Sequence, residues 1–388
     1  MENRTGIFTN GIIWFGVAIS VSEIEAGIQI ASASSLNSLW IPLILGHLLG
    51  GILLFLVGYI RAKLRINAMQ TTVSAFGKYG SKFFATLNVM QLIAWVAVLN
   101  AQGTLALVSL NLPVSFPLIS AVLAALVALW VYIGLKRSSK LTTAVMFVLI
   151  ALLIILSTKL FLLDNTSGVT IFSSSKALSF WNIFEISIAM PISWLPVISD
   201  YTKDVEKPVK ATAISAIAYT VASLWMYFIG VGIVGIGTDN ISHSILLMGL
   251  GIPGVIILVL STVTTNFLAT NSAGESAKSI YSKVDPKIAG VVVSILSVII
   301  AVSGIMDHYI DFLYLISSVF APMAAVLLVS FYLGDEKTNL GKWNLVAWFA
   351  GFITYQLAGF FDSVLFGPTL LSIIVSAAIA YFVVFIKR

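Results

Sequence analysis

The chain has 388 residues, of which 59% are hydrophobic and only 10% are charged, with a mean hydropathy of +1.04, and so few polar side chains exclude a large soluble domain. The absence of cysteine excludes disulfides, thiolate nucleophiles and cysteine-based metal sites. The net charge of +5 requires no nucleic-acid partner, because membrane proteins carry excess basic residues in their cytoplasmic loops.

Apolar runs of the roughly 20 residues needed to cross a bilayer recur along the chain. They predict an all-α polytopic membrane protein with twelve spans, at residues 10–34, 37–60, 79–110, 115–135, 141–163, 178–201, 209–237, 244–274, 287–306, 309–333, 343–361 and 364–386. If the N-terminus is cytoplasmic, only Lys159 and Lys176 of the 21 Lys and Arg residues lie outside. That asymmetry predicts that both termini of this integral membrane protein are cytoplasmic.

Span 1 is apolar up to Ser20 and then carries Glu23 and Glu25 before Gly27. A carboxylate near the bilayer centre costs about 2.5 to 3.5 kcal/mol on insertion scales, so it is expected to face a cavity or a partner. Two carboxylates beside Ser and Gly indicate an interruption of the helix. Because Glu23 and Glu25 cannot share one helical face, one of them is expected to point into a site. The alternative is a shallow break with both side chains near the outer surface.

Spans 2 and 3 carry polar groups that suit either helix packing or ligand binding. His47 follows Gly46 in a glycine-rich stretch, which favours close packing and a hydrogen bond to a neighbouring helix. Asn88, Gln91 and Trp95 share one face of span 3. An amide beside an indole suits a planar heteroaromatic ligand, which stacks on the ring and exchanges hydrogen bonds with the amide. Hydrogen bonding between helices is the alternative role.

Span 6 contains Pro191 and Pro196, which interrupt an otherwise apolar helix. Each proline removes a backbone N–H and clashes with the preceding turn, so nearby carbonyls lose their helical partners. Transporters use such carbonyls, at membrane depth, to bind substrates and ions. Span 6 is therefore predicted to be broken around a site, with residues 190–194 lining one wall and Glu185 in the outer half.

Span 8 places the hydroxyls of Ser261, Thr264 and Thr265 on one helical face. Oxygen ligands in that arrangement suit an alkali cation such as Na⁺, with further ligands from carbonyls of a broken neighbouring helix. Hydrogen bonds from the threonines to their own helix are the alternative. Farther along the same span, Asn266 and Asn271 offer amide groups to a ligand. Spans 11 and 12 carry no intramembrane charge and are interpreted as an appendage or a lipid-facing pair.

Several segments keep their order over most of the chain: Trp14-Phe-Gly, Ser22-Glu-Ile, Gly46-His-Leu-Leu-Gly, Phe76-Gly-Lys-Tyr-Gly, Asn88-Val-Met-Gln-Leu-Ile-Ala-Trp, Ala189-Met-Pro-Ile-Ser-Trp, Ser261-Thr-Val-Thr-Thr and Phe320-Ala-Pro. Together they resemble nucleobase:cation symporter family 1, and within it the CytX-type branch of hydroxymethylpyrimidine transporters. The resemblance implies a LeuT-type fold, in which two inverted five-helix repeats are followed by two extra helices. It implies a transport core over residues 1–334, two additional helices over 335–388, and a location in a prokaryotic plasma membrane.

Residue by residue, the resemblance implies Na⁺ ligands from the side chains of Thr264 and Thr265, from the carbonyl of Ser261, and from carbonyls between Ala18 and Val21. It implies substrate contacts at Gln91, Trp95, Pro191, Ser193, Trp194, Asn266 and Asn271. The intramembrane carboxylates add Glu25 or Glu185 as a group that binds an exocyclic amine or carries a coupling proton.

These observations predict a cation-coupled symporter, with Na⁺ as the expected ion and no other cofactor, that imports a small pyrimidine. Hydroxymethylpyrimidine, the thiamine precursor, is the leading substrate. The expected partners are this small heteroaromatic substrate and membrane lipid, and the oligomeric state stays open. A cytosine, purine or hydantoin permease of the same family is the alternative. An embedded enzyme or a channel is disfavoured, because the cytoplasmic loops carry no Asp-rich prenyltransferase motif, Ser/His pair or metal cluster.

Overall fold

The computed structural model describes residues 6–109, 113–162, 177–202, 205–247, 249–334, 340–361 and 366–387. Within these ranges the chain forms fifteen α-helices and one short 3-10 helix. Seven of the described helices are long and apolar enough to cross a membrane, and a bent pair of helices raises that number to eight. The twelve-span count and the two inverted repeats stay predictions. Lys176, one of the two basic residues predicted to lie outside, is not among the described residues. Asp335, the first residue of the predicted C-terminal segment, is not among them either.

The helices, in chain order, are α1 (Ile7–Ala18), α2 (Val21–Ser32), α3 (Leu36–Leu64), α4 (Ala68–Val108), α5 (Phe116–Ile133), α6 (Leu135–Leu162), α7 (Phe180–Ser193), α8 (Ile198–Thr202), α9 (Pro208–Gly235), α10 (Ile241–Leu247), α11 (Gly251–Ile280), α12 (Pro286–Val302), α13 (Tyr309–Leu333), α14 (Gly341–Gly359) and α15 (Gly367–Lys387). The 3-10 helix Ile305–His308 precedes α13. Predicted span 1 corresponds to α1 with α2, and predicted span 6 to α7 with α8.

The predicted interruption of span 1 is confirmed between α1 and α2, whose axes are bent by 48°. Ile19 and Ser20 leave the helical conformation, with ψ angles of 84° and 153°. The Ser20 hydroxyl then accepts the backbone N–H of Glu23 at 3.3 Å and caps the new helix. The break therefore has a local cause in the sequence.

The predicted break of span 6 is also confirmed. α7 ends at Ser193, and the N–H groups of Trp194 and Leu195 turn back to the carbonyls of Pro191 and Ile192 at 3.2 and 3.0 Å. Pro196 has no N–H to continue the helical ladder, and helical structure resumes only at Ile198 in α8.

Two spans differ from their predicted limits. Span 3 was expected from residue 79, whereas α4 begins at Ala68 and kinks at Gly77, whose φ of 68° only glycine adopts without strain. Span 8 was expected from residue 244 without interruption, but Gly249 and Gly251 have positive φ values and separate α10 from α11. Hydropathy does not register the break at Gly249 and Gly251, because these glycines lie within an apolar stretch.

Glycines bring the helices around the two breaks into close contact. A Cβ at Gly46 of α3 would lie 2.6 Å from the Ser187 hydroxyl of α7. One at Gly230 of α9 would lie 2.3 Å from the Ile24 carbonyl of α2. His47 is completely buried between α3, α7 and α9 and is hydrogen-bonded to residues of both neighbours, which confirms the packing prediction for span 2.

The two C-terminal helices are attached to the rest of the bundle by specific polar contacts. The Trp348 indole of α14 donates to the Val319 carbonyl at 2.9 Å, and the Asn344 amide donates to the Ala75 carbonyl at 2.6 Å. The carboxylate of Glu185 in α7 accepts from the Thr369 backbone N–H and hydroxyl of α15, at 2.9 and 2.5 Å. α14 and α15 thus contact α4, α7 and α13, so they are more closely integrated than a peripheral pair.

Candidate functional site

A small cavity, which we call the central cavity, lies where the two helix breaks face α4 and α11, and in this conformation its volume of about 10 Å³ can hold a single water molecule. Its walls combine two indoles, one carboxylate, three hydroxyls and apolar groups, from Val17, Ser20, Ser22, Glu23, Trp95, Leu99, Met190, Trp194 and Thr265. A mainly apolar enclosure with a few convergent polar groups is typical of a small-molecule site.

The carbonyl of Ile19, in the break of span 1, faces α11. It accepts hydrogen bonds from the Ser261 hydroxyl at 2.9 Å and the Thr265 hydroxyl at 3.4 Å. The Thr264 hydroxyl donates to the Leu260 carbonyl at 2.7 Å and lies 3.2 Å from the Ser261 carbonyl. The hydroxyls of Ser261 and Thr265 thus meet the Ile19 carbonyl, whereas the Thr264 hydroxyl bonds to its own helix, as the alternative expected from the sequence has it. We call these four residues the oxygen cluster, and oxygen ligands of this kind suit a cation such as Na⁺.

The carbonyls named from the sequence, those of Ala18 and Val21, flank this group. The Ala18 carbonyl accepts the N–H of Ser20 at 2.9 Å, and Val21 is the first residue of α2. Ile19, which lies between them, supplies the carbonyl turned towards α11. Sequence reasoning could not choose among these positions, because the choice depends on the backbone angles within the break.

Gln91 and Ser193 lie next to each other. The Gln91 amide donates to the Asn88 side chain at 2.8 Å and to the Ser193 carbonyl at 3.0 Å. The Ser193 hydroxyl donates to the Met190 carbonyl at 2.6 Å. The Gln91 side-chain oxygen is buried and has no hydrogen-bond partner within the described chain, so it is available to a ligand donor.

Trp95 and Trp194 both border the cavity. Trp95 packs edge-on against Phe312, with ring centroids 5.3 Å apart, and its indole N–H has no hydrogen-bond partner within the described residues. Trp194 contacts Trp14 at 5.9 Å in a T-shaped arrangement. Pro191 lies on the far side of α7, where its ring meets Gly50 of α3.

The two asparagines predicted as ligand contacts do not line the cavity. Asn266 is buried, and its side-chain oxygen has no hydrogen-bond partner in the part of the chain described. The Asn271 amide lies 3.4 Å from the Tyr201 hydroxyl, in a contact between α11 and α8. The structure thus brings Trp95, Trp194 and Thr265 together and leaves Asn266 and Asn271 outside that group.

Of the three intramembrane carboxylates, Glu23 faces the central cavity. Its side chain is 2% exposed and accepts hydrogen bonds from the hydroxyls of Tyr219, at 2.9 Å, and Ser223, at 2.7 Å. Glu25 accepts from the Gln29 amide at 3.2 Å and borders a different cavity, and Glu185 contacts the C-terminal helices. The structure therefore does not bring Glu25 to the central cavity.

The sequence contains a signal that would have distinguished the two glutamates. Ser20 followed three residues later by Glu23 has the spacing of a helix N-terminus. That spacing places Glu23 in the first turn of α2, beside the break. Its partners Tyr219 and Ser223 belong to α9, about 200 residues away, and no local pattern connects them to span 1.

A chain of hydrogen bonds extends from Glu23 into the bundle. Ser223 contacts the carboxylate and also lies 2.8 Å from His47 Nε2. His47 Nδ1 lies 2.6 Å from the Ser187 hydroxyl, which donates to the Leu43 carbonyl at 2.5 Å. This chain joins α2, α9, α3 and α7.

Tyr201 of α8 contacts both α1 and α11 at one end of the site. Its hydroxyl donates to the Leu268 carbonyl of α11 at 2.8 Å, and its carbonyl accepts from the Asn10 amide of α1 at 2.6 Å. Its ring packs against Trp14 with centroids 6.1 Å apart. α8 is thereby held against α1 and α11 below the cavity.

An apolar helical bundle with two broken helices around a mainly apolar cavity with a few polar groups is typical of membrane transporters for small molecules. A profile of the family described as permeases for cytosine/purines, uracil, thiamine and allantoin matches residues 2–384. The chain belongs to this family and is a transporter rather than an enzyme.

Individual relatives agree with this assignment. The cytosine permease of Escherichia coli strain K12 is 21% identical over 339 residues, which cover 86% of this chain and 80% of the permease. Mhp1, a nucleobase-cation-symport-1 family transporter solved in a closed conformation with bromovinylhydantoin bound, superposes with a TM-score of 0.78 at 20% identity, over 98% of this chain and 92% of its own. A Na⁺-coupled sialic acid symporter superposes with a TM-score of 0.73 at 15% identity, over 99% of this chain and 91% of the symporter. At these identities, the structures show a shared fold.

Proposed function

We propose that this protein is a Na⁺-coupled symporter that imports a small aminopyrimidine, with hydroxymethylpyrimidine as the leading substrate. The observation that carries the proposal is the position of Thr265. Its side chain lines the central cavity, and its hydroxyl also contacts the Ile19 carbonyl in the oxygen cluster. Ion and substrate would therefore share one residue, which provides a direct physical link between their binding.

In this mechanism, Na⁺ binds between the break of span 1 and α11 and holds them in the substrate-binding arrangement. For the pyrimidine ring to enter between the indoles of Trp95 and Trp194, the walls of the central cavity must move apart, and an N–H group on the ring edge would then donate to Glu23. The ion promotes substrate binding only to the extent that it binds this arrangement more tightly than the others.

A cytosine permease is the second candidate, and the likeness to the Escherichia coli cytosine permease favours it. Cytosine and hydroxymethylpyrimidine both carry an amine next to a ring nitrogen, so Glu23 suits both. They differ in their other ring substituents, and the mostly apolar wall formed by Val17, Leu99 and Met190 would have to distinguish them.

Uptake into proteoliposomes tests the proposal. With radiolabelled hydroxymethylpyrimidine, we expect accumulation that depends on an inward Na⁺ gradient and is lost when K⁺ replaces Na⁺. Excess unlabelled cytosine, uracil, hypoxanthine and hydantoin should compete less well than hydroxymethylpyrimidine itself. If cytosine competes best, the second candidate is correct, and uptake that ignores Na⁺ would refute the proposed coupling. A thermal-shift measurement with the same compounds, with and without Na⁺, gives an independent readout of binding.

A further inference from the structure

A second and larger cavity, of about 320 Å³, lies beside the central one on the side of the α9–α10 connection. We call it the outer cavity, because the distribution of basic residues predicts that this end of the bundle faces outside. Its lining residues come from α2, α4, α10, the α9–α10 connection and the 3-10 helix: Val21, Glu25, Gln102, Leu105, Ala106, Asp239, Asn240, Ile241 and Met306.

The outer cavity presents hydrogen-bond acceptors and a donor to the same space. Glu25 is partly buried, and its carboxylate accepts a hydrogen bond from the Gln29 amide at 3.2 Å. Asp239 contributes a second carboxylate from the facing connection. Gln102 is only 4% exposed, and its side-chain nitrogen has no hydrogen-bond partner among the described residues. A buried amide N–H group without a partner is costly, and a ligand acceptor in this cavity would remove that cost.

A side-chain hydrogen bond links the two cavities. Ser22 lines the central cavity, Gln102 lines the outer one, and the Ser22 hydroxyl donates to the Gln102 side-chain oxygen. The neighbouring residue Val21 lines the outer cavity. A ligand bound to the Gln102 amide in the outer cavity would therefore contact a side chain that is hydrogen-bonded to the wall of the central cavity.

We propose that the outer cavity is a second, transient binding site for the transported aminopyrimidine, occupied before the central site. This inference rests on the proposed function. The exocyclic amine would donate to Glu25, and the adjacent ring nitrogen would accept from the Gln102 amide. A carboxylate and an amide N–H that line one cavity match that donor and acceptor pair. Glu25 thus acts in substrate selection, at a site distinct from the one lined by Glu23.

The test uses the purified full-length protein, radiolabelled hydroxymethylpyrimidine and cytosine, and the variant Glu25→Gln. In equilibrium binding, the wild type is expected to bind two molecules of the better ligand. The Glu25→Gln variant should bind one molecule, and the affinity of that remaining site should equal its value in the wild type. Uptake at low substrate concentration should fall roughly tenfold in Glu25→Gln, the loss expected for one charge-assisted hydrogen bond. Asp239 is an exposed residue on the facing connection, and Asp239→Asn should weaken ligand binding in the outer cavity without affecting the central cavity.

Asp311→Asn is the matched control, because Asp311 is a carboxylate at the same predicted face that lines another cavity. It should keep two bound molecules and the wild-type uptake rate. A single site in the wild type, or an unchanged site count in Glu25→Gln, would overturn the inference while leaving the proposed function intact. If neither aminopyrimidine binds the wild type at all, the proposed function fails, and this inference fails with it.

Discussion

Thr265 and Glu23 line the same cavity, yet they have different neighbours. Thr265 contacts the Ile19 carbonyl in the oxygen cluster, whereas Glu23 is held by two hydroxyls of α9. Ion binding and substrate binding are therefore expected to respond separately to changes at these two residues.

Replacement of Thr264 and Thr265 by Val together should remove the Na⁺ dependence of substrate binding. Valine has nearly the same shape but no oxygen, so the cluster loses two candidate ligands while α11 keeps its packing. The measurement is the Na⁺ concentration that gives half-maximal uptake, which should rise more than tenfold. Thr262→Val is the control: its hydroxyl packs against Gly103, on another face of α11. Na⁺-dependent uptake at the wild-type level in the double variant would rule out this ion site.

Glu23→Gln should weaken substrate binding at least tenfold, because an amide accepts a ligand N–H less strongly than a carboxylate does. The apparent affinity of uptake, measured with hydroxymethylpyrimidine and with cytosine, reports the change. Glu185→Gln alters an equally buried carboxylate that contacts α14 and α15 instead of the cavity, and it should leave that affinity unchanged. Equal losses in the two variants would indicate a general effect of removing buried charge.

Among the elements, the broken helices were predictable and their orientations were not. Pro191, Pro196 and the Ser20 cap act within a few residues, so the sequence alone marks where α1 and α7 end. The bend of 48° and the choice of Ile19 as the inward carbonyl depend on how α2 packs against α9, which involves residues far apart in the chain. For the same reason, sequence reasoning selected Glu25 where the structure places Glu23 at the cavity.

The contact between α2 and α9 should be sensitive to a single methyl group. Gly230→Ala places a Cβ 2.3 Å from the Ile24 carbonyl, so the two helices must separate, at a cost of about 1 to 3 kcal/mol typical of overpacking. We expect a lower thermal unfolding midpoint and reduced uptake. Gly235→Ala, in the same helix, meets nothing within 4 Å and should behave like the wild type. Equal stability of the two variants would argue against this close contact.

At the scale of the whole molecule, Tyr201 keeps the end of the bundle below the cavity closed. Its hydroxyl contacts the Leu268 carbonyl and the Ser272 hydroxyl of α11, at 2.8 and 3.1 Å, and its backbone carbonyl contacts Asn10 of α1. Three helices separated in the chain thus meet at one residue. The sequence places Tyr201 in the inner half of span 6, but it cannot reveal which partners hold it there.

Tyr201→Phe removes the hydroxyl contacts and should shift the population towards states open at this end. Since the chain has no cysteine, a single introduced thiol reports the change without background. Ala269→Cys, next to Leu268 and buried in this structure, should react with a charged thiol reagent several times faster in the Tyr201→Phe background. Ala347→Cys, buried in α14, provides the control and should stay protected in both. Equal labelling rates at position 269 would contradict the closing role of Tyr201.

The buried imidazole of His47 has a consequence for the kinetics of transport. It contacts Ser187 of α7 through one nitrogen and Ser223 of α9 through the other, so the spacing between these two helices is fixed by a single rigid ring. A tilt of α7 relative to α9 must lengthen one of these two hydrogen bonds before a water molecule can take the place of the lost partner. The slow step of the transport cycle should then have a large activation enthalpy, and His47→Ala should make the turnover rate less dependent on temperature.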